Sequence, residues 1–425
     1  MDPRIEQLIH KGAKIIDPNS VWISQEVNVD NISGKDTVIY PNCRISGKDT
    51  VIEQGVELGM EGPVTIENCI LDKGVKLKGG FFRHSIFLSG ATIGMPAHVR
   101  EACLVEEGAK AAHAVGLKQT ILMPYVTLGS LINLCDCLVA GGTGPDDHTE
   151  IGSSFIHFNF SPDGQKATPS LIGDVPRGVM LKEPRIFLGG QGGIVGPTRI
   201  AFGTVSSAGS ILRDDILKEN QLVSTQNKEF SRDFKLRSMK RIKRIIFNNV
   251  LYIANLIALK QWYINVRKTF FDIRPLGHKI ISGALLILDD AKSERLNRLK
   301  RFVEHALSTT DIPDKPASLA SELLQNIDQV INALNNETHT ELAHTIMLDF
   351  LKVFNPMPMV KEGLDYVDAI KSLDHTRSTK GARWLYQVVQ DNIEAVYSLL
   401  PSLNLPSSNM MGMREPLDKK DKLKP

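Results

Sequence analysis

Between Asn28 and about Asp215 the aliphatic residues recur neither at the 3.6 spacing of a helix nor at the 2 of a strand, but at six. Ile32 is followed by Val38, Ile39 by Ile45 and Val51, Ile52 by Leu58 and Val64, Ile93 by Val99 and Val105, and Ile194 by Ile200. The octapeptide Ile-Ser-Gly-Lys-Asp-Thr-Val-Ile occurs twice, at Ile32–Ile39 and Ile45–Ile52. Repetition this short specifies a solenoid, because one coil cannot bury its own apolar residue and only stacking makes a continuous core. Six-residue steps with a polar turn fit a parallel β-helix of triangular coils, with Gly and Asn at corners whose backbone conformations bulky residues resist. A β-sandwich would alternate strictly, with turn signals about every eight to twelve residues. The period weakens between Gly79 and Ile93 and across Gly141–Pro169. Loops are expected to leave the coil there, and excursions from a rigid scaffold are where function concentrates.

The glycines mark where this architecture stops, since 28 of the 33 precede Asp215. Beyond it Ile242, Ile246, Val250, Ile253, Ile257 and Ile264 follow helical steps and predict one apolar stripe on a long helix. Segments near Ile280–Leu307, Ser318–Leu334, His339–Phe354 and Thr379–Leu400 read as further amphipathic helices, with Pro275, Pro313, Pro316, Pro356, Pro358 and Pro401 as breaks. The expected organisation is a capping segment over 1–27, the β-helix over 28–215, an all-α domain over 216–400 and a disordered tail over 401–425. Lys235, Arg237, Lys240, Arg241, Lys243 and Arg244 precede the apolar run Ile245–Leu259, which is short and holds Asn248, Asn249 and Asn255. It reads as a packed helix rather than a span, with membrane-surface association the less ordinary alternative. The basic face could instead attract the phosphates of a coenzyme or nucleotide.

A net charge of +2 gives no global signature for nucleic acid, and no nucleic-acid partner is expected. Met1-Asp2-Pro3-Arg4 lacks a basic segment running into an apolar one, which points to a cytoplasmic protein. Five cysteines, an odd number, read as reduced small hydrophobes. Cys135 and Cys137 are expected on one strand face, yet no second pair or suitably spaced His completes a metal site, and no metal is expected. Gly189-Gly190-Gln191-Gly192-Gly193 suggests close backbone approach to a ligand, and Gly141–Asp147 a protruding loop.

Three stretches carry a resemblance. Val105-Glu-Glu-Gly-Ala-Lys-Ala-Ala-His113 resembles the Gly-x-Gly-[Ser/Thr]-Lys-x-x-His segment of the acetyltransferase domain in the bifunctional N-acetylglucosamine-1-phosphate uridyltransferase/glucosamine-1-phosphate acetyltransferase family. Thr149–Gly152, Asn159–Lys166 and Leu171–Asp174 are similar to its Ile-Gly, Asn-Tyr-Asp-Gly-x-x-Lys and Ile-Ile-Gly-Asp series, and Ile186–Asp214 follows its final coils. The resemblance implies a left-handed parallel β-helix of hexapeptide repeats, here followed by the all-α domain. It also implies a homotrimer, with acetyl-CoA lying between neighbouring helices. It implies His113 as the general base that deprotonates a sugar amine, Asn159 as an orienting group, and Lys166, with Arg100, as contacts to a sugar phosphate. Gly190, Gly192 and Ser207 fall in its coenzyme groove. His157, two residues before Asn159, is the second candidate for a base, expected on the same strand face.

The sequence also departs from that pattern. Gly116 stands where the family has Tyr, Phe160 replaces the Tyr beside the matched Asn, Gly190 replaces a Ser, and the interval Ile151–Asn159 is too short for the family's second Asn. No nucleotidyltransferase signature occurs at the N-terminus, so uridyl transfer is not expected. The expected function is an acyl-CoA-dependent, acetyl by analogy, N-acyltransferase acting on an amino-sugar phosphate or a nucleotide amino sugar. The alternative is a nonenzymatic β-helix that binds a sugar nucleotide or scaffolds a complex.

Overall fold

A computed structural model describes residues 1–159, 166–226, 229, 231, 241–308 and 317–403. Its first half is a parallel β-solenoid. The first face is a sheet of 11 two-residue rungs, from Lys14–Ile15 to Leu222–Val223, each paired in parallel with the next coil. Faces two and three belong to one 16-stranded sheet, because strands Val115–Leu122 and Ile132–Val139 run unbroken around the corner between them. The helix Pro3–His10 precedes the first rung. Lys14–Ile15 and Trp22–Ile23, inside the segment expected to cap the coil, already pair with Val38–Ile39 and Arg44–Ile45.

The hexad period is visible as stacks. Ile39, Leu58, Leu77, Ile93, Ala111, Leu128, Ile151 and Leu188 occupy the same register position on successive rungs and are all buried. Glycine has its own column at the corner from face three to face one, where Gly55, Gly74, Gly90 and Gly108 adopt φ of 73°, 65°, 72° and 64°. That left-handed conformation costs any residue with a Cβ, which is why the coil collects glycines that the helices do without. The weak stretch Gly79–Ile93 does not leave the coil. Gly80–Arg83 and Ser85–Phe87 keep register with both neighbours, and buried Phe82 and Phe87, packed edge to face, fill the space that aliphatics fill elsewhere. Excursions do occur at a hairpin pairing Gly142–Gly144 with Asp147–His148, and at the short helix Val175–Gly178.

Face three differs from the others because both of its surfaces are buried. Ile70 and Leu71, Ile86 and Phe87, Leu104 and Val105, Ile121 and Leu122, Leu138 and Val139 are all inaccessible, the pattern of a parallel strand covered on both sides. The cover is a pair of long helices running along the solenoid axis. The first, Ile242–Trp262, passes through one π turn at Tyr263–Arg267 into Lys268–Phe271; the second is Gly277–Ser308. The first descends the coil, meeting Asp215 through Asn248, the backbone of Val175 through Asn255 and Glu106 through Tyr263, and Arg274 just beyond it meets Asp72. The second ascends, from Lys279 on Asn31 to Arg295 on Asp136. Helices Ala317–Asn336, Glu341–Val353, Pro356–Lys361, Tyr366–Lys371 and His375–Leu399 complete the region. Rings of Trp262, Phe350 and Trp384 stack at its centre.

Two expectations change here. The long helix has no single apolar stripe, since it is enclosed by face three on one side and helices on the other. Over 242–271 it is long and apolar enough to cross a membrane, but 83% of its most apolar window is buried inside the protein. Pro356 opens a helix at its first position, where the missing N–H has no partner to lose, rather than only ending one. The tail over 404–425, Pro313, Phe160 and the basic residues Lys235, Arg237 and Lys240 lie outside the described residues.

Candidate functional site

His113 stands at the corner between faces one and two, exposed, with Nδ1 2.8 Å from Ser130 Oγ of the next coil. The same edge continues upward with Ser153, whose Oγ accepts from the Ser130 N–H, then Gly190 and Ser207. One aligned position therefore carries the base candidate and, three coils of roughly 4.8 Å further on, the coenzyme-groove candidate Gly190, while on the fourth coil Ala208 takes that position and Ser207 precedes it by one residue. Gly190 is required by its own fold as much as by any ligand, since a Cβ there would meet Ser153 O at 2.6 Å. Gly192 is buried, and its Cβ would meet Gly189 O at 2.7 Å and Ser210 O at 2.9 Å. The Ser207 hydroxyl is engaged with Ser210 and Ser224.

Arg100 lies on the outer surface of face two, in register with Lys118. Arg83, one coil below, pairs with Glu101, and Lys118 reaches the same carboxylate at 3.8 Å. Arg100, Lys118 and the exposed Lys166 all act on the Cys135 thiol, favouring its thiolate against the burial that raises its pKa. Together these cations form a basic column that individual sequence positions did not disclose, because its members are a full coil apart in the chain. Cys135 and Cys137 do not share a strand face. Asp136 between them is left-handed, with φ 59°, and turns the corner, so Cys135 is half exposed and Cys137 buried.

Asn159 sits at the opposite edge of face two. Its Nδ2 donates to Asp136 Oδ2 at 3.4 Å, and its Oδ1 accepts from the Thr168 hydroxyl at 2.6 Å. Six residues of coil separate that edge from the one bearing His113, about 20 Å of extended chain, so the two do not meet within one chain. His157 is not on an outer face with Asn159. The strand Ile156–Phe158 turns Ile156 and Phe158 outward and His157 into the solenoid, where Nε2 lies 2.8 Å from Ser170 Oγ. Burial, with Arg295 adding to it, lowers its pKa to about 3. A base that substrate cannot reach is not a base, so His157 is a core residue. Among the described residues no group of three or more His, Cys, Asp or Glu is arranged to hold a metal ion.

The described part of the basic run is spent internally, with Arg241 on Asp214, Arg244 on Asp215 and Lys243 on the Ser402 carbonyl. Exposed apolar residues are spread over both halves of the molecule, and some lie on faces one and two. Met60, Met95 and Leu131 are exposed on the His113 edge, Ile156 and Phe158 on face two, and Phe187 and Val205 on face one.

No protein-family model matches the chain. Among curated proteins it is 28% identical over 214 residues to "Bifunctional protein GlmU" of Thermotoga maritima, covering 50% of this chain and 42% of that protein. It is 28% identical over 235 residues to the protein of the same name from Thermodesulfovibrio yellowstonii, covering 52% and 44%. With that of Shouchella clausii it shares 26% identity over 211 residues, covering 50% and 41%. The matched region spans less than half the length of these relatives.

Proposed function

From that similarity, and from the resemblance of His113, Asn159 and Lys166 to acetyltransferase motifs, we propose that the chain is an acyl-CoA-dependent N-acyltransferase, with acetyl-CoA as donor and an amino-sugar phosphate or nucleotide amino sugar as acceptor. The observation that carries the reading is His113. Its ring is exposed and its Nδ1 is tied to Ser130, which leaves Nε2 as the ring nitrogen to take a proton from an ammonium. Loss of that proton frees the nitrogen lone pair to attack the thioester carbonyl; the carbon–nitrogen bond forms, the carbon–sulfur bond breaks, and the leaving CoA thiolate takes up the second proton that the nitrogen gives up on becoming an amide. A placed base contributes roughly 10²–10⁴-fold. Arg100 and Lys166, joined by Arg83 and Lys118, hold the acceptor's phosphate, Asn159 orients the reacting groups, and Gly190 and Ser207 line the coenzyme's path along the edge.

His113 and Asn159 come together only between copies. Helices cover face three, which leaves faces one and two, with exposed Ile156, Phe158, Phe187 and Val205, as the surfaces on which a homotrimer would close. Gly116, in place of a family hydroxyl near the phosphate, favours the second reading, a sugar-nucleotide-binding module without turnover. Turnover and direct binding with acetyl-CoA across a panel of amino sugars and their nucleotides separate the two. His113→Ala is expected to cut kcat by at least about a hundredfold with coenzyme binding retained. Absence of acetyl-CoA binding at high concentration removes the enzyme reading, and unchanged kcat in His113→Ala removes only the assigned base.

A further inference from the structure

The helical region reaches the Asn159 edge through Arg295, with Asn249 on the neighbouring Ala167 carbonyl. Arg295, on helix Gly277–Ser308, is 2% exposed and places Nη2 2.8 Å from Asp136 Oδ1. The other oxygen of that carboxylate accepts from Asn159 Nδ2. An ionised carboxylate only accepts, so it selects the NH₂ end of the amide, while the Thr168 hydroxyl donates to the oxygen end. With both ends assigned, the amide cannot flip, and among the described residues no partner takes its second N–H or second lone pair. The carboxylate needs this support. Burial raises the Asp136 pKa, Arg295 is the largest influence opposing it, and Glu294 and Lys118 also act there with opposite signs. A protonated Asp136 could donate as well as accept, and the selection of one amide orientation would be lost.

We propose that Arg295 is a positioning residue, which by holding Asp136 locks the Asn159 amide in one orientation at the acyl-transfer site. This gives the helical region a part in the reaction, and it rests on the acyltransferase reading. A kinetic cycle in the full chain tests it. Asn159→Ala is expected to lower kcat about tenfold or more with KM changed less than about threefold. Arg295→Met is expected to give the same fall, and the two together no further loss. Losses that multiply, or an undiminished kcat in Arg295→Met, overturn the proposal.

Arg295→Met leaves a buried carboxylate alone and can unfold the protein, so Asp136→Leu/Arg295→Met replaces the whole pair by apolar groups. That variant is expected to fold and to keep the low kcat; wild-type kcat in it overturns the proposal. Arg295→Lys is expected to restore part of the rate. Should the wild type neither bind nor turn over acetyl-CoA, the acyltransferase reading falls while the link stays readable. In protein labelled with ¹⁵N-asparagine, Asp136→Leu/Arg295→Met is expected to shift the Asn159 side-chain NH₂ resonances. Unmoved resonances overturn the positioning itself.

Discussion

Two histidines of one solenoid meet opposite fates because they occupy different positions of the coil, His113 the corner before face two and His157 an inward position on that face in register with Leu117 and Leu134. His113 falls at a corner and keeps water; His157 falls on the inward position of Ile156–Phe158 and loses it. The buried ring holds its folded pKa at about 3, below the ordinary 6.5, so between those values the unfolded chain binds a proton that the folded one refuses. The stability this represents is complete above about pH 6.5 and is lost as pH falls toward 3. From pH 7 to pH 5 the loss is about 2 kcal/mol. In urea unfolding, His157→Leu is expected to lose about that much less over the same interval, and a variant with the wild-type slope would place the ring in contact with water. Sequence made His113, Asn159, Arg100 and Lys166 legible as separate positions, because each matches a motif or a charge. It did not show the phase of His157 or the column of Arg83, Arg100 and Lys118, since both depend on which residues of neighbouring coils share a register, and a deviation at one left-handed corner shifts that register.

At the scale of elements, the hexad period announces the coils because each rung repeats one physical demand, an inward aliphatic, and helical steps announce the long helices for the same reason. Neither period says that the helices lie on face three, because outward aliphatics on Ile70, Ile86 and Ile121 look like any other core positions. The docking brings a glycine inside the second helix against the sheet. A Cβ at Gly283 would overlap Ile70 Cδ1 and stand 3.3 Å from Ile86 Cδ1. Gly283→Ala gains about 1 kcal/mol of helix propensity and overpacks the interface at a cost of about 1–3 kcal/mol. The net expectation is a loss, measured by urea titration. Ile70→Val removes the methyl in the way, so adding it to Gly283→Ala is expected to restore stability. Failure of that rescue would mean the helix stands off the sheet.

For the molecule as a whole, the two architectures joined near Asp215 behave as one if the charges buried between them are indispensable. Arg267 is fully buried, 2.7 Å from both Glu106 and Glu107, with its guanidinium 3.8 Å above the Tyr366 ring and the Tyr263 hydroxyl also on Glu106. Burial pushes Glu106 up to about 7 even with that partner present. Arg274 on Glu53 and Asp72, and Arg244 on Asp215, repeat the arrangement lower and higher on the coil. Removing one member of a buried pair strands the other, a cost of about 3–5 kcal/mol, and Arg267→Met strands two carboxylates. In a Trp22→Phe background, which removes the solenoid's tryptophan, Trp262 and Trp384 report the helical region by fluorescence, while far-UV circular dichroism reports both halves. In that background alone the two signals are expected to change together on denaturation, as for a single cooperative unit. In Arg267→Met the fluorescence transition is expected to move to lower urea and separate from the circular-dichroism transition. Adding Glu106→Gln, which removes one stranded charge, should draw them partly together again. Coincident and unshifted transitions in Arg267→Met would show that apolar contact alone joins the helices to the coil.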